Sequence, residues 1–340
     1  MDLHLSGVLL IAKNRAGSKE WDRFAELCGG SYRCAYYAAY LAPGWRVRRF
    51  EILQLSGNQS RKIGQCAVTL SGPIRIFADQ LQLLSGFQIY WEPAMNMILK
   101  ALGPGRYQYG SEWCTEPPRD NELARLINIQ LEDVRLAYLQ AIEFERWKSW
   151  DEYWSSVSSN IRRNYQKALS ENADLELNLK CELSLLRVLP TLYRLKELTL
   201  QKKQLGGSVI RSVKSAIRTT FLFKITTAMV CLKNSKVVGF STCLFYGQHA
   251  FYLEGGATRD VPGSGWYVLA STIRYAFERS QGKGLFVMGP VEEKTMQKPE
   301  WQGLARSRQQ CRVTDRPVAT IRFHYHGDGI NNSSSWADQR

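Results

Sequence analysis

In the second half of the chain the apolar positions first alternate and then change period. Residues 228–232 and 237–245 read as two strands of a hairpin, joined by the polar turn Lys233, Asn234, Ser235 and Lys236. A third strand at 250–255 follows Gly247, Gln248 and His249. Between 266 and 279 the apolar residues Val268, Leu269, Ile273, Ala276 and Phe277 recur at helical spacing, and Gly282 and Gly284 mark the stop. Another strand is predicted at 285–288. The first half repeats this order: strands at 50–55, 62–68 and 73–77, a helix at 90–102 ending before Gly103, and a strand at 107–109.

The two halves share a spacing. Gly64 and Trp91 stand 27 positions apart, as do Gly239 and Trp266, which suggests duplication. Helical sequence precedes each copy, at 19–28 and 190–201. Between the copies the pattern predicts a helical connector: one helix over 120–143, then a second opened by Ser149, Trp150, Asp151 and Glu152, a capping-box sequence. Trp150, Tyr153, Val157, Ile161, Tyr165 and Leu169 form its apolar stripe, and Arg162, Arg163 and Lys167 lie opposite. The expected fold is therefore α/β (α+β), a mixed, mostly antiparallel sheet flanked by helices, each copy closed by a βαβ step. The expected units are 1–118, a helical connector 119–180, 181–326, and a loose polar tail 327–340.

Charge and cysteines narrow the chemistry. Lys and Arg outnumber Asp and Glu 45 to 31, a net charge of +14, which attracts polyanions or anionic substrates. The eight cysteines include no CxxC pair, and only four histidines are present, so no metal site is expected. Cys243, inside an apolar run, reads as a small buried hydrophobe, and the chain as cytoplasmic. His324 and His326 share one face of a late strand, without a third ligand. No apolar run is long enough to span a membrane, and the start lacks the basic region of a signal peptide.

The sharpest local signal is Asp260, Val261, Pro262, Gly263, Ser264, Gly265 and Trp266, between a strand and a helix. Glycines there let backbone approach a ligand, and the amides of a first helical turn favour an anion. The stretch lacks the Lys-Ser/Thr end of a Walker loop and the spacing of the dinucleotide fingerprint, which argues against ATP and NAD. In the first copy the matching residues 83–87 lack the paired glycines.

A hairpin, strand, glycine turn, helix and strand in this order resemble the GNAT acyltransferase fold. The block from Trp150 to Ala168, with Arg162, Arg163 and Asn164, resembles more specifically the CelD-like and Fem-type acyltransferases, which pair two GNAT-like units. The resemblance implies a transferase that moves an acyl group to an amine by direct attack, with acyl-CoA as donor, or an aminoacyl-tRNA in the Fem-type alternative. The acceptor would be an amine-bearing small molecule, amino-sugar or peptide. It implies a donor site in the second copy, with Arg259, Gly263, Ser264 and Gly265 as contacts, although the GNAT signature is degenerate here. Glu254 is the candidate general base. Tyr252, two residues earlier, is expected on the same side of the strand, and Tyr267 or Tyr246 is a candidate proton donor to the leaving group. Amides near Gly255 and Gly256, freed by a bulge, would polarise the acyl oxygen. Arg162, Arg163 and Lys167 would contact tRNA or another anion. A third reading, from another class, is a non-catalytic basic adaptor for RNA or an anionic surface.

Overall fold

The computed structural model describes residues 2–5, 8–12, 17–41, 46–56, 59–70, 72–202, 209–291 and 299–327. Residues 203–208 and the expected polar tail from 328 therefore lie outside the described residues. In chain order the strands are β1 Asp2–Leu5, β2 Val8–Ala12, β3 Val47–Ser56, β4 Gln59–Thr69, β5 Ile74–Phe77, β6 Gln82–Leu83, β7 Gly105–Tyr109, β8 Ile129–Glu143, β9 Leu175–Cys181, β10 Thr226–Lys233, β11 Lys236–Tyr246, β12 His249–Ala257, β13 Leu285–Val291 and β14 Thr314–Tyr325. The helices are α1 Ser18–Leu27, α2 Trp91–Leu102, α3 Asp120–Ala124, α4 Trp150–Ser156, α5 Ser159–Glu171, α6 Glu182–Lys202, α7 Val209–Phe221, α8 Ser264–Arg279 and α9 Pro299–Gln309.

One sheet runs β1-β2-β3-β4-β5-β7-β14-β8-β13-β12-β11-β10-β9, with β6 beside β4. Neighbours are antiparallel except at two places, β5 with β7 and β12 with β13, where a helix-bearing crossover closes each copy. The duplication extends to irregularities. Gly64 follows Ile63, the extra residue of a bulge between β3 and β4; Gly239 follows Val238, the extra residue of a bulge between β10 and β11. Both glycines are closely packed. A Cβ on Gly64 would lie 2.8 Å from the Gln82 carbonyl oxygen, and one on Gly239 would lie 3.2 Å from Val268 of α8.

The units are joined by exchange of strands rather than by a helical connector. The 120–143 stretch is helical only over α3 and continues as the strand β8. Its Leu, Glu, Arg, Ala and Gln are good helix formers. Pairing with β14 over 129–141, and with β13 at its end, overrides that preference. β14, last in the chain, inserts between β7 and β8, and its Ile321, Phe323 and Tyr325 are buried in the core around Trp91, Ile98 and Tyr107 of the first copy.

Two helices also differ from expectation. The 150–169 stripe is split into α4 and α5 by the extended Val157, after which Ser158 Oγ accepts from the Asn160 amide at 3.2 Å. Ser149 caps α4 as expected, accepting from Glu152 N at 3.2 Å, while the Glu152 carboxylate takes the amide of Lys148 at 2.8 Å. α6 starts at Glu182, eight residues before Pro190; a proline that suits a helix start is here tolerated inside one.

Candidate functional site

The site begins with a bulge in β12. Cys243 pairs with Tyr252 and Thr242 with Glu254, so Leu253 is an extra residue without a partner on β11. An extra residue reverses the alternation of faces. Tyr252 therefore joins the side that packs under α8, with Cys243, Phe245 and Phe286. Glu254 turns to the opposite side, toward α6 and α7. There its carboxylate forms an ion pair with Lys196 and accepts from Ser215 Oγ at 2.9 Å, both charged side chains being nearly buried. The expectation that Tyr252 and Glu254 share a face is corrected by this one inserted residue.

Beyond the bulge, β12 and β13 separate. They pair only at Ala250 with Phe286 and Phe251 with Val287, and β13 continues against β8 instead. The gap opens into a cavity of about 460 Å³, lined by both strands and by the start of α8. Tyr252, Arg259, Gly263, Ser264 and Gly265 all border it. Gly255 makes the placement of Tyr252 possible, because a Cβ there would lie 2.5 Å from the phenol oxygen. Burial pushes the Tyr252 hydroxyl up from its ordinary range, so it is protonated at neutral pH.

Gly263 is the N-cap of α8, with φ of +81°. A Cβ there would be 2.3 Å from the Asn164 carbonyl oxygen and 3.2 Å from Ala168 Cβ, so α5 lies directly against this corner. This contact gives the Trp150 to Ala168 block its structural part: it buttresses the glycine turn. Ser264 is 1% exposed, and its Oγ, like that of Thr258, is buried without a hydrogen-bond partner among the described residues. Both residues line the cavity.

The remaining candidates fall elsewhere. Tyr267, one residue past the cavity-lining Trp266, faces away into a cluster with Val268 and Met229 and packs on the ring of Tyr165 at 5.2 Å. Tyr246 is fully buried against Asp22 of α1. Neither borders the cavity, because each points from its element into a different core cluster. Arg162, Arg163 and Lys167 are on the exposed side of α5; Arg163 donates to Asn160 Oδ1 at 3.4 Å and Lys167 pairs with Glu171 at 3.6 Å. The rings of His324 and His326 are 4.4 Å apart, and among the described residues no group of three or more metal-binding side chains gathers.

One cavity residue had no signal in the sequence. Arg308 of α9 is 9% exposed and borders the gap on the β13 side. Its Nη1 donates to Gln140 Oε1 and the Gly289 carbonyl at 3.3 Å, and to the Pro290 carbonyl at 3.5 Å. Burial pulls its guanidinium down to about 10. It sits in a helix that also carries Arg306, and nothing in that spacing distinguishes a surface arginine from a buried one.

No protein-family model matches the sequence, and no curated protein matches it. Solved structures do match. FemX aligns over 90% of this chain and 96% of its own, at 10% identity and a TM-score of 0.65. The C-terminal domain of a putative lysylphosphatidylglycerol synthetase from Agrobacterium fabrum covers 90% and 92% at 10% identity, TM-score 0.51. L-PGS from Bacillus licheniformis covers 92% and 93% at 9% identity, TM-score 0.50. The chain thus shares the fold of FemX, with two repeated units in one sheet. Among the described residues no helix is long and apolar enough to cross a membrane.

Proposed function

We propose that the protein transfers an acyl group from a carrier to an amine by direct attack, with the carrier seated in the gap between β12 and β13. The observation that supports this most is the cavity itself: an opening at a strand splay, bordered by the Gly263 to Gly265 corner. First-turn amides of α8 suit a negatively charged part of the carrier. Leu269, Met288 and Leu304 offer apolar wall to the acyl arm. The amine reacts as its free base and attacks the carbonyl; as the amide forms the nitrogen gives up a proton to water, the bond to the carrier breaks, and the carrier takes up a proton. Tyr252, which lines the cavity and is kept protonated by burial, is the proton donor in this reading. Glu254 is assigned no part in this step, since it faces α6 and α7.

The donor we favour is an acyl-CoA. An aminoacyl-tRNA is the second reading, favoured by Arg162, Arg163 and Lys167, which project from the helix that abuts Gly263. The test is incubation with radiolabelled acetyl-CoA, or with charged tRNA, and a panel of amines. Label moving from acetyl-CoA supports the first reading. Transfer from tRNA alone supports the second, and tRNA binding should then fall with about the second or third power of salt concentration if these three cations meet phosphates. Labelled product from neither donor would leave the adaptor reading and defeat the proposal.

A further inference from the structure

Arg308 is a nearly buried cation that the described residues meet only with neutral acceptors. A buried cation is costly unless a counter-charge or a full set of acceptors meets it. Among the described residues no carboxylate lies within ion-pair distance of Arg308, and its hydrogen bonds all run from Nη1 to neutral oxygens. Nε and Nη2 form no hydrogen bond among the described residues, although the side chain is nine-tenths buried and borders the cavity. Gln140, whose Oε1 accepts from Arg308, donates its own amide to Asp315 Oδ1 at 3.0 Å.

Arg308 and the glycine corner border the gap from different elements. The guanidinium is fixed to Gly289 and Pro290 of β13, whereas the α8 amides follow the end of β12. Tyr252 lines the same gap, close enough to Arg308 for the two to influence each other's charge. Resting on the transferase reading above, we propose that Arg308 holds a carboxylate of the acceptor, so that the substrate class is an amine that also carries a carboxylate, such as an amino acid or a peptide end. Nε and Nη2, which bond no described residue, are two N–H donors on one planar guanidinium and match the two oxygens of a carboxylate. The binding places the acceptor on the β13 side while the carrier's anion occupies the α8 side.

The test uses the full chain in ligand-observed NMR titrations. N-acetylglycine carries the carboxylate and no amine; N-acetylglycinamide is nearly the same shape without the charge. Wild type should bind the acid at least tenfold more tightly than the amide. Arg308→Gln should abolish the difference, and Arg308→Lys should retain part of it, with thermal melts confirming that each variant is folded. Equal binding of acid and amide by wild type overturns the proposal even if neither variant folds. A loss of coenzyme A binding in Arg308→Gln, with acid and amide bound alike, assigns the arginine to the carrier and also overturns it. Absence of acyl transfer from every donor defeats the transferase reading, while a preference for the acid would still place a carboxylate at Arg308.

Discussion

At the scale of single residues, burial decides which groups hold protons. His249 accepts the Leu285 amide on Nδ1 at 3.1 Å, and burial holds its imidazole down at about 4. An unfolded histidine titrates near 6.5, so below that pH the unfolded chain binds a proton that the folded chain refuses. Stability from this site is therefore complete above pH 6.5 and lost as pH falls toward 4, by roughly 3 kcal/mol. His249→Asn, which keeps an acceptor near the Nδ1 position, should flatten the fall of denaturation midpoint between pH 6.5 and 4. An unchanged slope would show that other groups carry the acid sensitivity. Tyr252 was legible in the sequence as a strand residue near the turn. The reversal of Glu254 was not, because one bulged residue leaves composition and spacing untouched while it exchanges the two faces.

At the scale of elements, the glycine turn shows why a short motif outlasts a loose one. The 260–266 stretch predicted a helix start, and α8 begins there; what the sequence could not show is that α5 lies against it. Gly263→Ala must adopt φ near +81° and also displace the Asn164 carbonyl, so we expect a loss of at least about 2 kcal/mol in chemical denaturation. Wild-type stability in this variant would mean that α5 and α8 are not in firm contact. The strands and helices of both copies were readable because their apolar residues obey one period each. β8 was not readable, since its helix-forming residues are held extended by neighbours from distant parts of the chain. Arg308 stayed hidden for a related reason: its burial depends on β13, about twenty residues earlier, and on Gln140 of β8.

At the scale of the molecule, insertion of β14 between β7 and β8 ties the last strand to the first copy. Phe323 is fully buried and stacks on Tyr107 at 5.3 Å, more than two hundred positions earlier in the sequence. Phe323→Ala should cost about 3 to 5 kcal/mol. Hydrogen exchange should show the loss first in β7 and α2, not in α8; protection lost mainly around α8 would contradict this coupling. The duplication itself was visible as two equal spacings, whereas strand exchange lies in long-range pairing that no local pattern records.

The reading as a whole depends on chemistry occurring on the α8 side of β12. Two variants separate the sides: Tyr252→Phe, which removes the phenol from the cavity, and the double variant Glu254→Gln with Lys196→Met, which removes both charges of the buried pair together and so avoids stranding one of them. The measurement is kcat/KM for label transfer to an amine. The account predicts a fall of about a hundredfold or more for Tyr252→Phe and near wild-type turnover for the double variant. Full activity in Tyr252→Phe together with an inactive, folded double variant would contradict it.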